Sequence, residues 1–378
     1  MNRVMKILIA SDSFKGTLTA RQATDAIARG VQQCLPTATM IRQPIADGGE
    51  GTVDVVLASK PGTKHTVEVT GPLATPVRAE FAMLDDQSTA VIEMAAASGL
   101  MLAPPESRDI MRATTFGTGE LIAHALDLGA TRILVGLGGS ATCDGGLGCA
   151  QALGVRFFDA DDAEIPPRAG AAMLARVRRI DRDNVHPLLS RCKVTALCDV
   201  RNPLVGATGS ARIFGPQKGA SPDDVRTLDD GLTHFGTVIH EQLQIEVRDR
   251  RSAGAAGGLA AGLAAFANAE LADGATAIFD LIDIESAICE SDAVITGEGR
   301  LDATSLDGKA PVSLAILSFS LDRPVFTLVG QIAPPESMWD DYFDGVAEIG
   351  RDPNPDADHA QRLCYLAQVQ ASAWFGDR

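Results

Sequence analysis

Apolar, β-branched runs recur along this sequence, and each is followed by a polar turn and then by a stretch with helical spacing. This order is typical of βα units arranged around a mostly parallel sheet. It therefore predicts an α/β fold. The predicted strands are KILIASDS, TRILVGLGGS, KVTALCDV, DAVITGEGRLD and RPVFTLVGQI, and the predicted helices include TARQATDAIARGVQQCL, which is opened by Thr19, and TGELIAHALDLGA.

One region has a different pattern. Residues 64–99 alternate apolar and polar side chains and contain Pro and Gly turns, which predicts antiparallel hairpin strands within the otherwise βα protein. At 378 residues the chain exceeds the size of a single core, so two domains are expected. The changes in pattern place one discontinuous domain at residues 1–65 plus 285–378 and a second domain at residues 66–284.

The net charge excludes two classes of partner. A formal charge of −16 repels a nucleic-acid backbone or an anionic membrane surface, and no cluster of lysines and arginines offsets it. A small anionic ligand remains compatible with this charge, because a cleft needs only two or three local cations or a helix N-terminus to hold one.

The cysteines and the first residues both point to the cytoplasm. The seven cysteines are odd in number and form no C-x-x-C pair, which favours a reducing compartment and disfavours a structural zinc site. The apolar run VMKILIA is short and contains a lysine, so it is interpreted as a first strand rather than as a signal peptide.

The segment Ala253–Ala272 is apolar and spaces Gly254, Gly258 and Gly262 four residues apart. Such spacing occurs in membrane helices that associate through small residues. The favoured interpretation is a buried Ala/Gly helix packed against a sheet, because Ala and Gly contribute little insertion energy and no second span is present.

Four loops combine glycine with acidic residues just after predicted strands. In open α/β sheets the carboxyl ends of the strands line the ligand crevice, and glycines there expose backbone N–H groups to phosphate oxygens. Each loop alone is equally well explained as a tight turn. Together their carboxylates favour a bound cation such as Mg²⁺. The loops are ADGGEGT (46–52), GGSATCDGG (138–146), CDVRNPL (198–204) and TGEGRLD (296–302).

Neither standard nucleotide fingerprint is present. Gly308 and Lys309 suggest a P-loop, but Ala303 stands where its first glycine belongs and Ala310 where Ser or Thr belongs. The segment GTGELI lacks the third glycine of the dinucleotide motif. These departures disfavour a classical P-loop or an NAD site.

Several basic side chains are candidate anion ligands. Lys15, Lys218 and Lys309 each adjoin a glycine in a polar turn, and each could neutralise a phosphate or a carboxylate, as could Arg212 and Arg300. The alternative for each is a solvated side chain. The six histidines lie outside these loops and show no ligand spacing, so a histidine base or a zinc site is not expected.

The motifs resemble, in order and over about residues 6 to 375, the bacterial glycerate kinase family of the GlxK/GarK type. The matching motifs are ASDSFKGTLTA, PIADGGEGT, IEMAAASGL, TTFGTGELI, GGSAT.DGG, CDVRNPLVG.TGSARIFGPQKGA, GAAGGL and VITGEGRLD..S..GK.P. One departure is that Cys143 stands where the family commonly has asparagine, which places a ligand role of that side chain in doubt.

The resemblance implies transfer of the γ-phosphoryl group of ATP to D-glycerate with Mg²⁺, giving 2-phosphoglycerate or, as an alternative, 3-phosphoglycerate. Another small hydroxy acid is a more distant alternative substrate. The resemblance also implies two α/β domains, one of them Rossmann-like and built from both ends of the chain, with the active site in the cleft between them. A homo-oligomer is compatible with it.

Phosphoryl transfer requires alignment of donor and acceptor and neutralisation of negative charge. As hypotheses, Asp144 or Asp199 accepts the glycerate proton or holds Mg²⁺, and Lys218 or Lys15 pairs with phosphate or with the substrate carboxylate. The other candidates for substrate or phosphate binding are Asp47, Glu50, Gly138, Gly139, Ser140, Asn202, Arg212, Glu298, Arg300, Asp302 and Lys309.

The residues alone disfavour two other classes of function. A dehydrogenase is disfavoured by the incomplete dinucleotide motif, and a periplasmic small-anion binding protein is disfavoured by the missing signal peptide. A dehydrogenase would be stabilised against thermal unfolding by NADH and not by Mg-ATP.

Overall fold

The computed structural model describes residues 4–86, 88–350 and 357–376. The chain forms two compact units. The first consists of Met1–Asp47, Asp54–Lys60 and Ala275–Arg378, and the second consists of Gly48–Val53 and Pro61–Gly274.

Strands and helices alternate over most of the chain, as expected for an α/β protein. The strands are β1 (Lys6–Ser11), β2 (Thr39–Arg42), β3 (Gly62–Thr70), β4 (Pro76–Leu84), β5 (Thr89–Glu93), β6 (Arg132–Gly136), β7 (Arg156–Phe158), β8 (Arg179–Asp181), β9 (Lys193–Cys198), β10 (Glu270–Asp273), β11 (Ala293–Leu301), β12 (Val325–Ile332) and β13 (Gly345–Glu348). The α-helices are α1 (Ala20–Cys34), α2 (Thr52–Ser59), α3 (Ala95–Ser98), α4 (Phe116–Asp127), α5 (Leu147–Ala152), α6 (Ser210–Phe214), α7 (Pro222–Leu243), α8 (Ala255–Phe266), α9 (Gly274–Ile282), α10 (Ile284–Glu290), α11 (Ala310–Ser320) and α12 (His359–Phe375).

The sheet of the first unit is parallel throughout, with the strand order β13-β12-β11-β1-β2. From β1 the chain adds β2 on one side and, later, β11 on the other side. The strand order therefore reverses at β1, and a crevice forms at the carboxyl ends of the strands on either side of such a reversal. The loops that follow β1 and β11 are thus the expected ligand-binding loops of this unit.

Helix α1 is fixed at its start and along its length. The Thr19 side chain accepts from the Gln22 N–H, and the Gln22 side chain accepts from the Thr19 N–H, which forms a capping box. Farther along, α1 packs closely on α12: a Cβ atom placed on Gly30 would lie 2.8 Å from Ala367 Cβ and still closer to the Cys364 carbonyl oxygen. Glycine at this position allows the two helices to approach.

The sheet of the second unit is mixed, with the strand order β10-β9-β6-β5-β4-β3. The strands β10, β9, β6 and β5 are parallel, whereas β5, β4 and β3 pair antiparallel. The antiparallel part coincides with the region of alternating polarity in the sequence. The predictions of an α/β fold with one parallel sheet and one mixed sheet are confirmed.

Helix α8 lies inside the second unit, and all twelve of its residues are buried. Leu259, Ala260 and Leu263 belong to the same core as the sheet residue Ala196, so the prediction of a buried Ala/Gly helix against a sheet is confirmed for this part of the segment. The backbone at residues 256–258 has positive φ and is not helical, and the end of the segment belongs to strand β10. A membrane span needs about 20 apolar residues. In the part of the chain that the structure describes, no helix has both the length and the apolar character to cross a bilayer.

The close approach of α1 to α12 predicts opposite effects of alanine at two helical glycines. Gly30→Ala should lower the free energy of unfolding by about 1–3 kcal/mol, because the new methyl group overlaps α12. Gly231→Ala, in α7, should leave it unchanged or raise it by about 0.5–1 kcal/mol, because the nearest atom to a Cβ there is Leu174 Cβ, 3.4 Å away. Urea unfolding followed by circular dichroism measures both, and equal effects would contradict the packing argument.

Candidate active site

A cavity of about 410 Å³ lies in the first unit, at the carboxyl ends of its strands. The residues that line it come from the loops after β1 and β2, from the ends of β11 and β12, and from the start of α12. This is the position expected from the reversal of strand order at β1. Its ionisable lining residues are Asp12, Lys15, Asp47, Glu298, Arg300, Lys309, His359 and Arg362.

Three buried carboxylates line this cavity. Asp12, Asp47 and Glu298 are 7%, 6% and 5% exposed. Burial raises the pKa of Asp12 well above its usual range, and the neighbouring Asp47 and Glu298 raise it further, whereas the Ser13 N–H, which donates to Asp12 Oδ1 at 2.6 Å, opposes the shift. Carboxylates at this density are unfavourable without compensating positive charge.

Glu298 combines burial with incomplete hydrogen bonding. Burial raises its pKa to about 7 and Asp47 adds to the increase, whereas Lys309 and a hydrogen bond with the Ser305 side chain oppose it. Lys309 Nζ lies 3.6 Å from Glu298 Oε2. The other oxygen, Oε1, is buried and accepts no hydrogen bond from any described residue. The side chain thus has unused capacity to accept a proton or a hydrogen bond.

Lys309 is held among oxygens at the start of α11. Besides Glu298, its ammonium group lies 3.8 Å from Asp302 Oδ1 and 3.4 Å from Ser305 Oγ. Arg300 Nε lies 3.3 Å from the second oxygen of Asp302. Lys309 and Arg300 are therefore oriented by one carboxylate, that of Asp302, and both line the cavity.

The loop after β1 reaches this strand end because of a glycine. A Cβ atom on Gly299 would lie 3.2 Å from the backbone nitrogen of Lys15 and 3.2 Å from Phe14 Cα. Without a side chain at this position, the turn that carries Asp12 and Lys15 packs directly on β11.

A second polar cluster lies in the second unit. Lys218 is 4% exposed, and its Nζ donates to Ser140 Oγ at 2.6 Å and to the Thr142 carbonyl oxygen at 2.8 Å. Burial lowers the pKa of Lys218 to about 8, although Cys143 and Asp144 act in the opposite direction. An ammonium group has three N–H donors, so two of them hold the loop and one remains for a ligand.

Asp144 is fully buried, and four donors surround its carboxylate. Oδ2 accepts from the N–H and the hydroxyl of Thr115 at 2.8 Å each and from the Gly148 N–H at 3.2 Å, and Oδ1 accepts from the Gly146 N–H at 3.1 Å. Burial raises its pKa, and these bonds oppose the increase. Through these hydrogen bonds the carboxylate connects the glycine loop to the starts of α4 and α5, and it thereby stabilises the local fold.

The family of the chain follows from comparison with known proteins. The glycerate kinase family profile matches residues 7–368. The chain belongs to the glycerate kinase family. It is 45% identical over 328 residues to glycerate 2-kinase of Escherichia coli K12, with 87% of this chain and 86% of that protein covered.

Other relatives agree with this membership. Glycerate kinase of Bacillus subtilis 168 is 46% identical over 329 residues, again with 87% of this chain and 86% of that protein covered. The crystal structure of a protein assigned as glycerate kinase 2 from Salmonella typhimurium LT2 superimposes with a TM-score of 0.87 at 38% identity and covers 99% of each chain. The sequence-based predictions of the family and of a kinase enzyme are confirmed.

The structure brings the candidate residues of this glycerate kinase together in two groups. Lys15, Asp47, Glu298, Arg300 and Lys309 line the cavity of the first unit, and Asp302 contacts two of them. In the second unit, Ser140 and Lys218 are in direct contact.

The other candidates have local roles in the second unit. A Cβ atom on Gly138 would lie 2.7 Å from Gly49 Cα, so two glycine loops pack on each other. Arg212 is paired with Asp229, which also accepts from the Gly206 N–H. Glu50 is exposed and Asp199 is half-buried. The Asn202 side chain donates to the Thr208 carbonyl oxygen, and Gly139 adopts a positive φ of +73°.

Sequence reasoning missed three ionisable residues of the cavity. Asp12 follows β1 in the segment ASDSFKGTLTA. It could have been predicted in the same way as the other acidic residues that follow strands. His359 and Arg362 lie in the first turn of α12 and line the cavity. They carry no local signal, because only the fold brings the last helix to the ends of β11 and β12.

The four hydrogen bonds of Asp144 predict that its substitution destabilises the fold. Asp144→Asn replaces an acceptor oxygen with an amide group that faces N–H donors, and it should lower the free energy of unfolding by about 2–4 kcal/mol. Asp161→Asn, at an exposed position, is the matched control and should change it by less than about 0.5 kcal/mol. Thermal and urea unfolding test this, and wild-type stability with lost turnover would instead indicate a direct chemical role of Asp144.

Proposed function

We propose that this enzyme transfers the γ-phosphoryl group of ATP to the C2 hydroxyl of D-glycerate and produces 2-phosphoglycerate. Membership of the glycerate kinase family supports the reaction class, and the 45% identity to a protein named glycerate 2-kinase supports the position. The alternatives are phosphorylation at C3, or of another small hydroxy acid.

The observation that carries the proposal is the cavity at the ends of β1 and β11. It combines buried carboxylates with several cations, including Lys15, Arg300 and Lys309. Cations neutralise the charge that spreads over the transferred phosphoryl group, and a carboxylate can accept the proton of the attacking hydroxyl. Both requirements of the reaction are thus present in one cavity.

Mg²⁺ is expected with ATP, and the residues indicate how the protein would receive it. Asp144 does not fit a metal ligand, because four donors occupy its oxygens. Among the described ranges of the chain, no cluster of three His, Cys, Asp or Glu side chains is arranged to hold a metal ion.

Since Mg²⁺ is commonly held by substrate phosphates and only one or two protein carboxylates, we propose that it enters as the ATP complex. Bound in this way, Mg²⁺ would neutralise phosphate charge. Asp199 remains a predicted ligand.

The cluster around Lys218 is the proposed anion site of the second unit. Lys218 has one N–H left for a ligand, and Ser140, whose oxygen accepts from Lys218, can donate its own O–H. Two donors on a buried surface suit the carboxylate of glycerate or a phosphate oxygen. Gly138 and Gly139 stay predicted donors of the same loop.

The proposed reaction is tested by product analysis. The enzyme is incubated with Mg-ATP and D-glycerate, and phosphorus NMR identifies the phosphate ester. We expect 2-phosphoglycerate as the main product, whereas 3-phosphoglycerate would establish the alternative position. A lack of any ester, together with stabilisation by NADH and not by Mg-ATP, would overturn the kinase proposal.

The anion site predicts a pH-dependent KM for glycerate. The pKa of Lys218 is about 8, so its positive charge is present below this pH and is lost above it. The KM for D-glycerate should therefore be constant below about pH 7 and rise above pH 8. Lys218→Met should raise this KM by about 10-fold or more at pH 7 and make it independent of pH, since a charge-assisted hydrogen bond contributes about 1.5–3 kcal/mol.

Lys193→Met is the control, because this exposed lysine pairs with Glu270 at the surface. It should leave the KM for glycerate unchanged. A change confined to the KM for ATP in Lys218→Met would reassign the side chain to nucleotide binding.

A further inference from the structure

The proposed reaction needs a group that accepts the proton of the attacking hydroxyl, and three buried carboxylates of the cavity could do so. They are Asp12, Asp47 and Glu298. In Asp12 one oxygen already accepts a short bond from the Ser13 N–H. The candidate favoured by the residues around it is Glu298.

The hydrogen bonds of Glu298 leave it available. Oε1 is buried and accepts no hydrogen bond from the described residues. Oε2 lies 3.6 Å from Lys309 Nζ, beyond the usual hydrogen-bond distance of 2.7–3.2 Å. A buried acceptor without a partner is unfavourable in the free protein, and a substrate hydroxyl would satisfy it. By contrast, the carboxylate of Asp144 already has four partners.

The position of Glu298 also suits the reaction. It lies at the carboxyl end of β11, beside β1, where the strand order reverses. Lys309 lies next to its carboxylate, and Lys15 and Arg300 line the same cavity. A phosphoryl group held by these cations would be close to a hydroxyl that contacts Glu298.

The electrostatic surroundings keep this carboxylate basic enough to act. The charged groups that act on it are Asp12 from the loop after β1, Asp47 from the loop after β2, and Lys309 from the start of α11. Burial and Asp47 raise the pKa of Glu298 to about 7, and Lys309 limits the increase. General bases are most effective when their pKa lies near the working pH.

We propose that Glu298 is the general base of the reaction, which rests on the glycerate kinase function proposed above. Its carboxylate takes the proton from the glycerate hydroxyl while the hydroxyl oxygen forms a bond to the γ-phosphorus. The bond between that phosphorus and the β,γ-bridging oxygen breaks, and its electron pair leaves with ADP. The proton passes from Glu298 to solvent when the products depart. Glu298 is therefore a catalytic residue.

Two variants test this role. In the wild-type enzyme, kcat/KM for D-glycerate should rise tenfold per pH unit up to about pH 7, level off, and fall above about pH 8, where Lys218 loses its charge and KM rises. Glu298→Gln should lower kcat by about 100-fold or more and remove this acidic limb. Lys309→Met removes a neighbouring positive charge and should move the limb to higher pH, whatever its effect on ATP binding. Glu290→Gln, at an exposed end of α10, should leave the rate and the pH profile unchanged.

Further measurements separate the outcomes. Thermal unfolding and stabilisation by Mg-ATP should be retained in Glu298→Gln, which distinguishes lost chemistry from lost folding. Kinase activity in the wild type together with an unchanged rate and pH profile in Glu298→Gln would overturn the role of Glu298 alone. If Glu298→Gln does not fold, an acidic limb that fails to move in Lys309→Met would also overturn it. Absence of glycerate phosphorylation in the wild type would instead remove the proposed function itself.

Discussion

The parallel pairing of β1 with β11 is the interaction on which the first unit and its cavity depend. It joins strands nearly three hundred residues apart, with Ile7 opposite Ala293 and Ser11 opposite Gly297. The Thr296 hydroxyl donates to the Ala10 carbonyl oxygen at 2.7 Å within this core. Because β2 lies on the other side of β1, this pairing also creates the reversal of strand order that opens the crevice. This register places the loop after β1, with Asp12 and Lys15, beside the end of β11, with Glu298 and Arg300.

Local sequence patterns were sufficient for much of the fold. Continuous apolar runs marked the strands of the parallel sheet, and Thr19 with Gln22 marked the start of α1. The rule that polar residues after strands line a crevice found Glu298 and Asp47, because it depends only on strand polarity. His359 could not be found in this way, since its place in the cavity depends on how α12 returns to the sheet after the chain has formed all the strands.

The sequence also could not predict which carboxylates have their hydrogen-bonding capacity filled. Asp144 and Glu298 both follow glycines near a strand end, and the sequence offers no basis for ranking them. In the structure, four donors surround Asp144, whereas one oxygen of Glu298 has no partner. This difference depends on Thr115, which lies 29 residues from Asp144, and on the turn of backbone around Gly146. The proposed base is thus distinguished from Asp144 by its hydrogen bonding rather than by its residue type.

Cys143 shows how the same loop accepts a change from the family pattern. Its side chain is buried, Lys218 and Asp144 act on it electrostatically, and burial raises the pKa of its thiol to about 11. The thiol is therefore neutral at physiological pH and behaves as a small apolar group. A thiolate would neutralise Lys218, whereas a neutral thiol leaves the ammonium charge intact. The proposed anion site therefore depends on Lys218 and Ser140 rather than on an amide side chain at position 143.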